Sequence, residues 1–167
     1  MKKIIRKILF VKSSIFLYSF SSDNLENDLN QIFNSPYYNN KTNLNGKQIS
    51  ENQFSLWEKW NFSRGLLSSD ALAYFSGKIY SKSGKTYIIG TSYPHPFFVI
   101  GFYLLSAIFF LELFNQVGTG MIFCNYEILA LMGFFCVILI STSLYFRLRI
   151  LKAVQNELKL NKTPNNK

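Results

Sequence analysis

Two runs of this chain are almost free of charge, and any fold has to accommodate them. Residues 96–114 read PFFVIGFYLLSAIFFLELF, 19 positions whose single charge is Glu112. Residues 128–146 read ILALMGFFCVILISTSLYF, of the same length and with no charge. As helices rising 1.5 Å per residue, each is about 28 Å long, close to the roughly 30 Å hydrocarbon core of a bilayer. A helix at the edge of a soluble core keeps a polar stripe. The second run offers only Ser141, Thr142 and Ser143, whose hydroxyls can bond back to the preceding turn. The spacing therefore predicts two transmembrane helices, at about 96–114 and 128–146, within a hairpin covering 95–146.

The basic residues orient that hairpin. Of 18 Lys and Arg, 12 precede residue 96, 6 follow residue 146, and none lies between. Cations near a span are retained in the cytoplasm. Lys78, Lys82 and Lys85 precede the first run, and Arg147, Arg149 and Lys152 follow the second. Both termini are expected in the cytoplasm, with a short outer connection. The N-terminal MKKIIRKILFVKSSIFLYSF also has the basic start of a secretory signal, with Ser19-Phe20-Ser21 as a cleavage-like site. Cleavage there would invert the hairpin and leave the inner connection without a basic residue. Lys12 breaks the apolar run after four residues, so the segment reads instead as a basic approach to a strand. The sequons at Asn40, Asn61 and Asn161 would matter only in the inverted, secretory case.

Residues 1–94 are expected to form a cytoplasmic α+β domain. Residues 13–22 alternate Ile15, Leu17 and Ser19 against Phe16, Tyr18 and Phe20, a strand pattern rich in aromatic and β-branched residues. Asp23 with Glu26 reads as a capping box. Leu25, Leu29 and Ile32 then give one apolar face to a helix of about ten residues, ended by Ser35-Pro36. Residues 36–47 read as a polar loop closing on an Asn45-Gly46 turn. Three further strands are expected. In 53–62, Phe54, Leu56, Trp60 and Phe62 share a face that Glu58 interrupts, with Trp57 opposite. In 72–81, Leu72, Tyr74 and Tyr80 alternate with Ala73, Phe75 and Ile79. In 85–93, Thr86, Ile88 and Gly90 alternate with Tyr87, Ile89 and Thr91. Ser83-Gly84 turns the second of these strands into the third as a hairpin. A helix over one face of an antiparallel sheet buries these faces economically.

Beyond the second span, residues 147–160 continue as an amphipathic helix with Leu148, Leu151, Val154 and Leu158 on one stripe, in line with Leu144. That stripe has three destinations: the open sheet face, a second copy, or an anionic lipid surface. Residues 161–167 read as a disordered tail.

The chemistry-bearing residues are few. Ser83-Gly84-Lys85-Thr86 ends like a phosphate-binding loop, but position 79, where the first glycine belongs, is Ile79. Cys124 and Cys136 are separated by about 18 Å along a helix and read as apolar filler. With one histidine and no cysteine cluster there is no metal site, no catalytic set and no cofactor to expect. The basic residues are scattered without an aromatic–basic recognition motif, so no nucleic acid is expected either. Three candidates remain at the membrane. His95, between Pro94 and Pro96, either caps the first span or titrates near neutrality. Glu112 and Glu127 could serve ion movement, since a carboxylate within a span is costly and often functional. Alternatively, Glu112 reaches interface water and Glu127 complements a helix dipole. Gly101, Gly133, Ser106 and Ala107 allow the two helices close approach.

The stretch Phe75-Ser76-Gly77-Lys78-Ile79, followed by Gly84-Lys85-Thr86-Tyr87-Ile88 and His95-Pro96-Phe97-Phe98, resembles a set of small bacterial membrane proteins in which a β-hairpin runs straight into a two-span helical hairpin. The resemblance covers about residues 53–146 and implies an architecture and a bacterial inner membrane location, with no active site to carry over. The resulting expectation is a non-enzymatic, membrane-anchored binding or scaffold subunit. Its partners are membrane lipids and either further copies of itself or another membrane protein, with Trp57, Tyr37 and Tyr38 either as contact points or as packing residues. The alternative is an accessory or oligomeric component of a transporter or channel.

Overall fold

The computed structural model describes residues 11–35, 43–59, 71–119 and 126–163. Strands β1 (Lys12–Tyr18), β2 (Leu44–Ser50), β3 (Gln53–Glu58), β4 (Ala73–Lys82), β5 (Lys85–Pro94) and β6 (Leu160–Lys162) form one antiparallel sheet, ordered β2-β3-β4-β5-β1-β6. Helix α1 (Ser22–Phe33) follows β1, and α2 (Pro96–Thr119) and α3 (Tyr126–Glu157) separate β5 from β6. The α+β layout matches the sequence reading, and α2 and α3 are both long and apolar enough to cross a membrane.

One face of the sheet carries the core. Phe16 and Tyr18 of β1, Phe54 and Leu56 of β3, Ala73 and Phe75 of β4, and Ile88 of β5 are buried there, with Leu44 of β2. Leu25, Leu29 and Ile32 of α1 cover part of that face, as their spacing predicts. The rest is covered by the end of α3, where Ile150, Val154 and Leu158 are fully buried in the same cluster. Of the three destinations for the amphipathic stripe, the sheet is the one occupied. The buried face is rotated from the expected one: Ile150 points inward while Leu148 is half exposed.

Two strands depart from the sequence reading. Asn45-Gly46 is not a turn but part of β2, with Gly46 opposite Leu56. A Cβ on Gly46 would lie 2.5 Å from the Leu56 side chain and 2.6 Å from the Ser55 carbonyl, so glycine here permits close approach. The chain turns later, at Glu51-Asn52. Beyond Leu44, β2 is largely exposed and lacks the alternation that would have revealed it. The second departure lies in the expected tail, where Leu160–Lys162 pairs antiparallel with β1 as an edge strand. Lys159, in a left-handed conformation (φ 48), reverses the chain from α3 into it. Thr163 extends the pairing, its backbone N–H and hydroxyl both donating to the Ile15 carbonyl.

Smaller adjustments have local causes. Strand β3 stops at Glu58, and Trp60 and Phe62 lie outside the described residues. Helix α1 begins one residue before Asp23, with Ser21 at its N-cap and no side-chain capping bond. Ser83 (φ 54) and Gly84 (φ 71) form the two-residue turn expected between β4 and β5. Gly101 lies 3.7 Å from a Leu139 methyl when given a Cβ, whereas Gly133 faces open space, so only the first glycine serves helix approach.

Candidate functional site

The three membrane candidates lie at opposite ends of the hairpin. Glu112 is exposed near the end of α2, and Glu127 is exposed in the first turn of α3. His95 is at the other end, between β5 and α2. Its backbone N–H donates to the Leu72 carbonyl at 2.9 Å, and its Nδ1 accepts from the Phe97 N–H at 3.2 Å. The imidazole therefore caps the first turn of α2, a role that requires a lone pair on Nδ1. Burial holds its pKa below the ordinary histidine value, which favours that neutral form.

Around His95 the structure assembles a layer that no single stretch of sequence displays. Antiparallel register sets Trp57 of β3 opposite Tyr74 of β4, and Tyr74 opposite Tyr93 of β5. All three project from the face of the sheet away from the core. Tyr74 and Tyr93 stack with ring centroids 5.6 Å apart, Trp57 meets Tyr74 edge-on at 6.4 Å, and His95 lies 6.0 Å from Tyr74. Burial pushes the Tyr93 phenol above its usual pKa; a hydrogen bond from Ser55 opposes the shift and the neighbouring Tyr74 adds to it. On the core face, beside Trp57, buried Glu58 accepts the Arg149 guanidinium at 2.9 Å and ties α3 to β3. Phe98 of α2 meets Phe146 of α3 at 5.9 Å just beyond this level. The individual residues and their faces are visible in the sequence, but the cross-strand register that aligns them is not.

A second polar group lies between α1, β3 and α3. The Tyr18 hydroxyl donates to Asp28 at 2.7 Å, and burial followed by that carboxylate raises its pKa. Lys59 donates to the Ser35 hydroxyl at 2.9 Å; burial lowers its pKa, and Glu157 nearby partly offsets this. Each of these contacts joins one element to another, as a structural brace would.

An open groove of about 350 Å³ separates α1 from the β2–β3 hairpin. Its lining combines Leu25, Leu29 and Phe33 with Glu26, Glu51 and the carboxamides of Gln48 and Gln53. With the Ser81 hydroxyl also in the lining, the groove offers shape and hydrogen-bonding groups. Among the described residues no three His, Cys, Asp or Glu side chains come together in a way that could hold a metal ion. Cys136 is a free thiol, partly buried, 3.9 Å from the Ser106 hydroxyl where α2 and α3 meet. Cys124, Tyr37 and Tyr38 lie outside the described residues. Comparison of the chain with protein-family models, curated proteins and solved structures found no match.

Proposed function

We propose that this chain is an integral membrane protein of a bacterial inner membrane, anchored by α2 and α3. It presents its six-stranded domain to the cytoplasm as a non-enzymatic binding or scaffold subunit. The observation that carries the membrane reading is exposure. The apolar windows of α2 and α3 both have a mean hydropathy of 2.3, yet they are 0% and 6% buried within the chain. A soluble core helix of that composition would be covered by its own protein. Exposed side chains such as Ile100, Leu104, Phe110, Leu131, Phe134 and Val137 find an apolar solvent in lipid.

The absence of basic residues between positions 96 and 146 supports the cytoplasmic assignment of both termini. Alkaline carbonate should leave the full-length chain in the membrane fraction. Reporter fusions at Gly118 and at the C-terminus should report opposite sides of the membrane. Release by carbonate, or fusions reporting the same side, would refute the topology. Purification in mild detergent should return a stoichiometric partner or a defined homo-oligomer, and a lone monomer would count against the scaffold role.

A further inference from the structure

We infer that the aromatic row Trp57–Tyr74–Tyr93, with His95, is a lipid contact surface that rests in the headgroup layer of the bilayer holding α2 and α3. The inference rests on the membrane reading above and adds which face of the domain meets the lipid. Trp and Tyr concentrate at membrane–water interfaces because each pairs an apolar ring with a polar tip. Here three such rings, contributed by three different strands, form one row across the sheet. That row is continuous with the proposed span: Tyr93 is followed by Pro94, His95 and then Pro96, the first residue of α2. No flexible segment separates the row from the helix, since His95 is bonded both to Leu72 and to the first turn of α2.

Charge at the same level agrees. Arg147 follows the Phe146 that meets Phe98, whereas Lys59 turns to Ser35 and Glu157 and Arg149 to Glu58. Glu58 is buried on the core face and engaged by Arg149. The aromatic level therefore has the Arg147 cation beside it, a combination that suits anionic headgroups above an acyl boundary. Farther along the same face, the stacked pair Tyr80 and Tyr87 provides an internal contrast. Tyr80 is six residues from Tyr74 on β4, about 20 Å along the strand, beyond the reach of the headgroups.

The test uses the full chain in nanodiscs containing anionic lipid. Trp57 is one of two tryptophans, so Trp60→Phe leaves it as the sole indole. Lipids brominated at the 6,7 positions of the acyl chain should quench its emission at least twofold, independently of the protein-to-lipid ratio. A parallel measurement places nitroxide labels at Trp57→Cys and Tyr80→Cys in a Cys124→Ser/Cys136→Ala background. Position 57 should show oxygen accessibility typical of the interface, and position 80 that of water. No quenching, or equal aqueous accessibility at both positions, overturns the inference when the same protein resists carbonate extraction, and the membrane reading then stands. Quenching that changes with protein density would assign the row to contacts between copies and also overturn it. Release of the protein by carbonate refutes the membrane reading and the inference together.

Discussion

Gly90→Ala tests how the core is built. Gly77 and Gly90 face each other across β4 and β5 and form a floor on which phenylalanine rings lie. A Cβ on Gly90 would stand 2.3 Å from Phe75 Cζ, 2.6 Å from its Cε2 and 2.9 Å from Phe16 Cε2. Carbon contacts settle near 3.5–4.0 Å, so the Phe75 ring would have to retreat by more than about 1 Å. It has nowhere to go: Phe16 and Phe54 flank it at centroid distances of 6.3 and 6.2 Å, and Phe54 itself covers Gly77. Overpacking of this kind costs about 1–3 kcal/mol. The reduced freedom of the unfolded alanine chain offsets roughly 0.4–1 kcal/mol of that. The expected net loss is about 1.3 kcal/mol, a fall in Tm of roughly 3–5 °C for a chain of this size. Reversible unfolding in mild detergent, followed by circular dichroism, measures it. Adding Phe75→Leu should recover part of the loss, giving a coupling of about 1 kcal/mol or more in a double-mutant cycle. Unchanged stability in Gly90→Ala, or strictly additive effects, would refute the reasoning.

Arg149→Met should cost about 1–3 kcal/mol, because it leaves the buried Glu58 carboxylate without its partner. Glu58→Gln should cost less, since the half-exposed Arg149 can turn to water, and unfolding of the two variants in parallel checks the order. His95 has a folded pKa below its unfolded value of about 6.5, so the unfolded chain binds the proton more tightly. Its contribution to stability is complete above that pH and is lost as pH falls toward the folded value; His95→Asn, an acceptor that does not titrate, should flatten the stability profile as pH falls through the unfolded value of about 6.5. Tyr18→Phe removes a bond to the Asp28 carboxylate and should cost about 1–2 kcal/mol in the same unfolding assay, with Asp28→Ala, which has no acceptor, largely removing the difference.

Where sequence reading succeeded, the burial pattern was local. Leu25, Leu29 and Ile32 on α1 and the alternation of β4 and β5 need only the 3.6 and 2.0 periodicities, and both are strong there. Where it failed, the structure depends on residues far apart in the chain. Strand β2 is held by its pairing with β3, and its exposed Lys47, Gln48 and Ile49 carry no period to detect. Strand β6 is three residues long and exists because β1 offers it an edge. Glu58 looked like an interruption of an apolar face until Arg149, 91 residues later, arrived to pair with it. The aromatic layer around His95 was hidden in the same way. Each ring could be assigned a face from its own strand, but register alone determines that three strands present theirs side by side.

Helix α3 shows why hydropathy and fold must be read together. Its apolar residues continue through Ile150, Leu151, Val154 and Leu158, now interleaved with Arg147, Arg149 and Lys152, and the helix itself runs on without a break. Packing divides it. From Ile128 to Ile138 most large side chains, such as Leu131, Phe134 and Val137, are exposed and require lipid under the proposed topology, whereas Ile150, Val154 and Leu158 are fully buried in the cluster with Phe16 and Phe75. The change comes near Ser143, already buried, and it coincides with the first cations, Arg147 and Arg149. Under that topology one unbroken helix of 32 residues, about 48 Å long, would serve two solvents. Because it also carries the ion pair to Glu58 and leads into β6, its tilt in the proposed bilayer and the orientation of the sheet would be a single variable. A partner that grips the domain would therefore be felt along the span without any hinge between them.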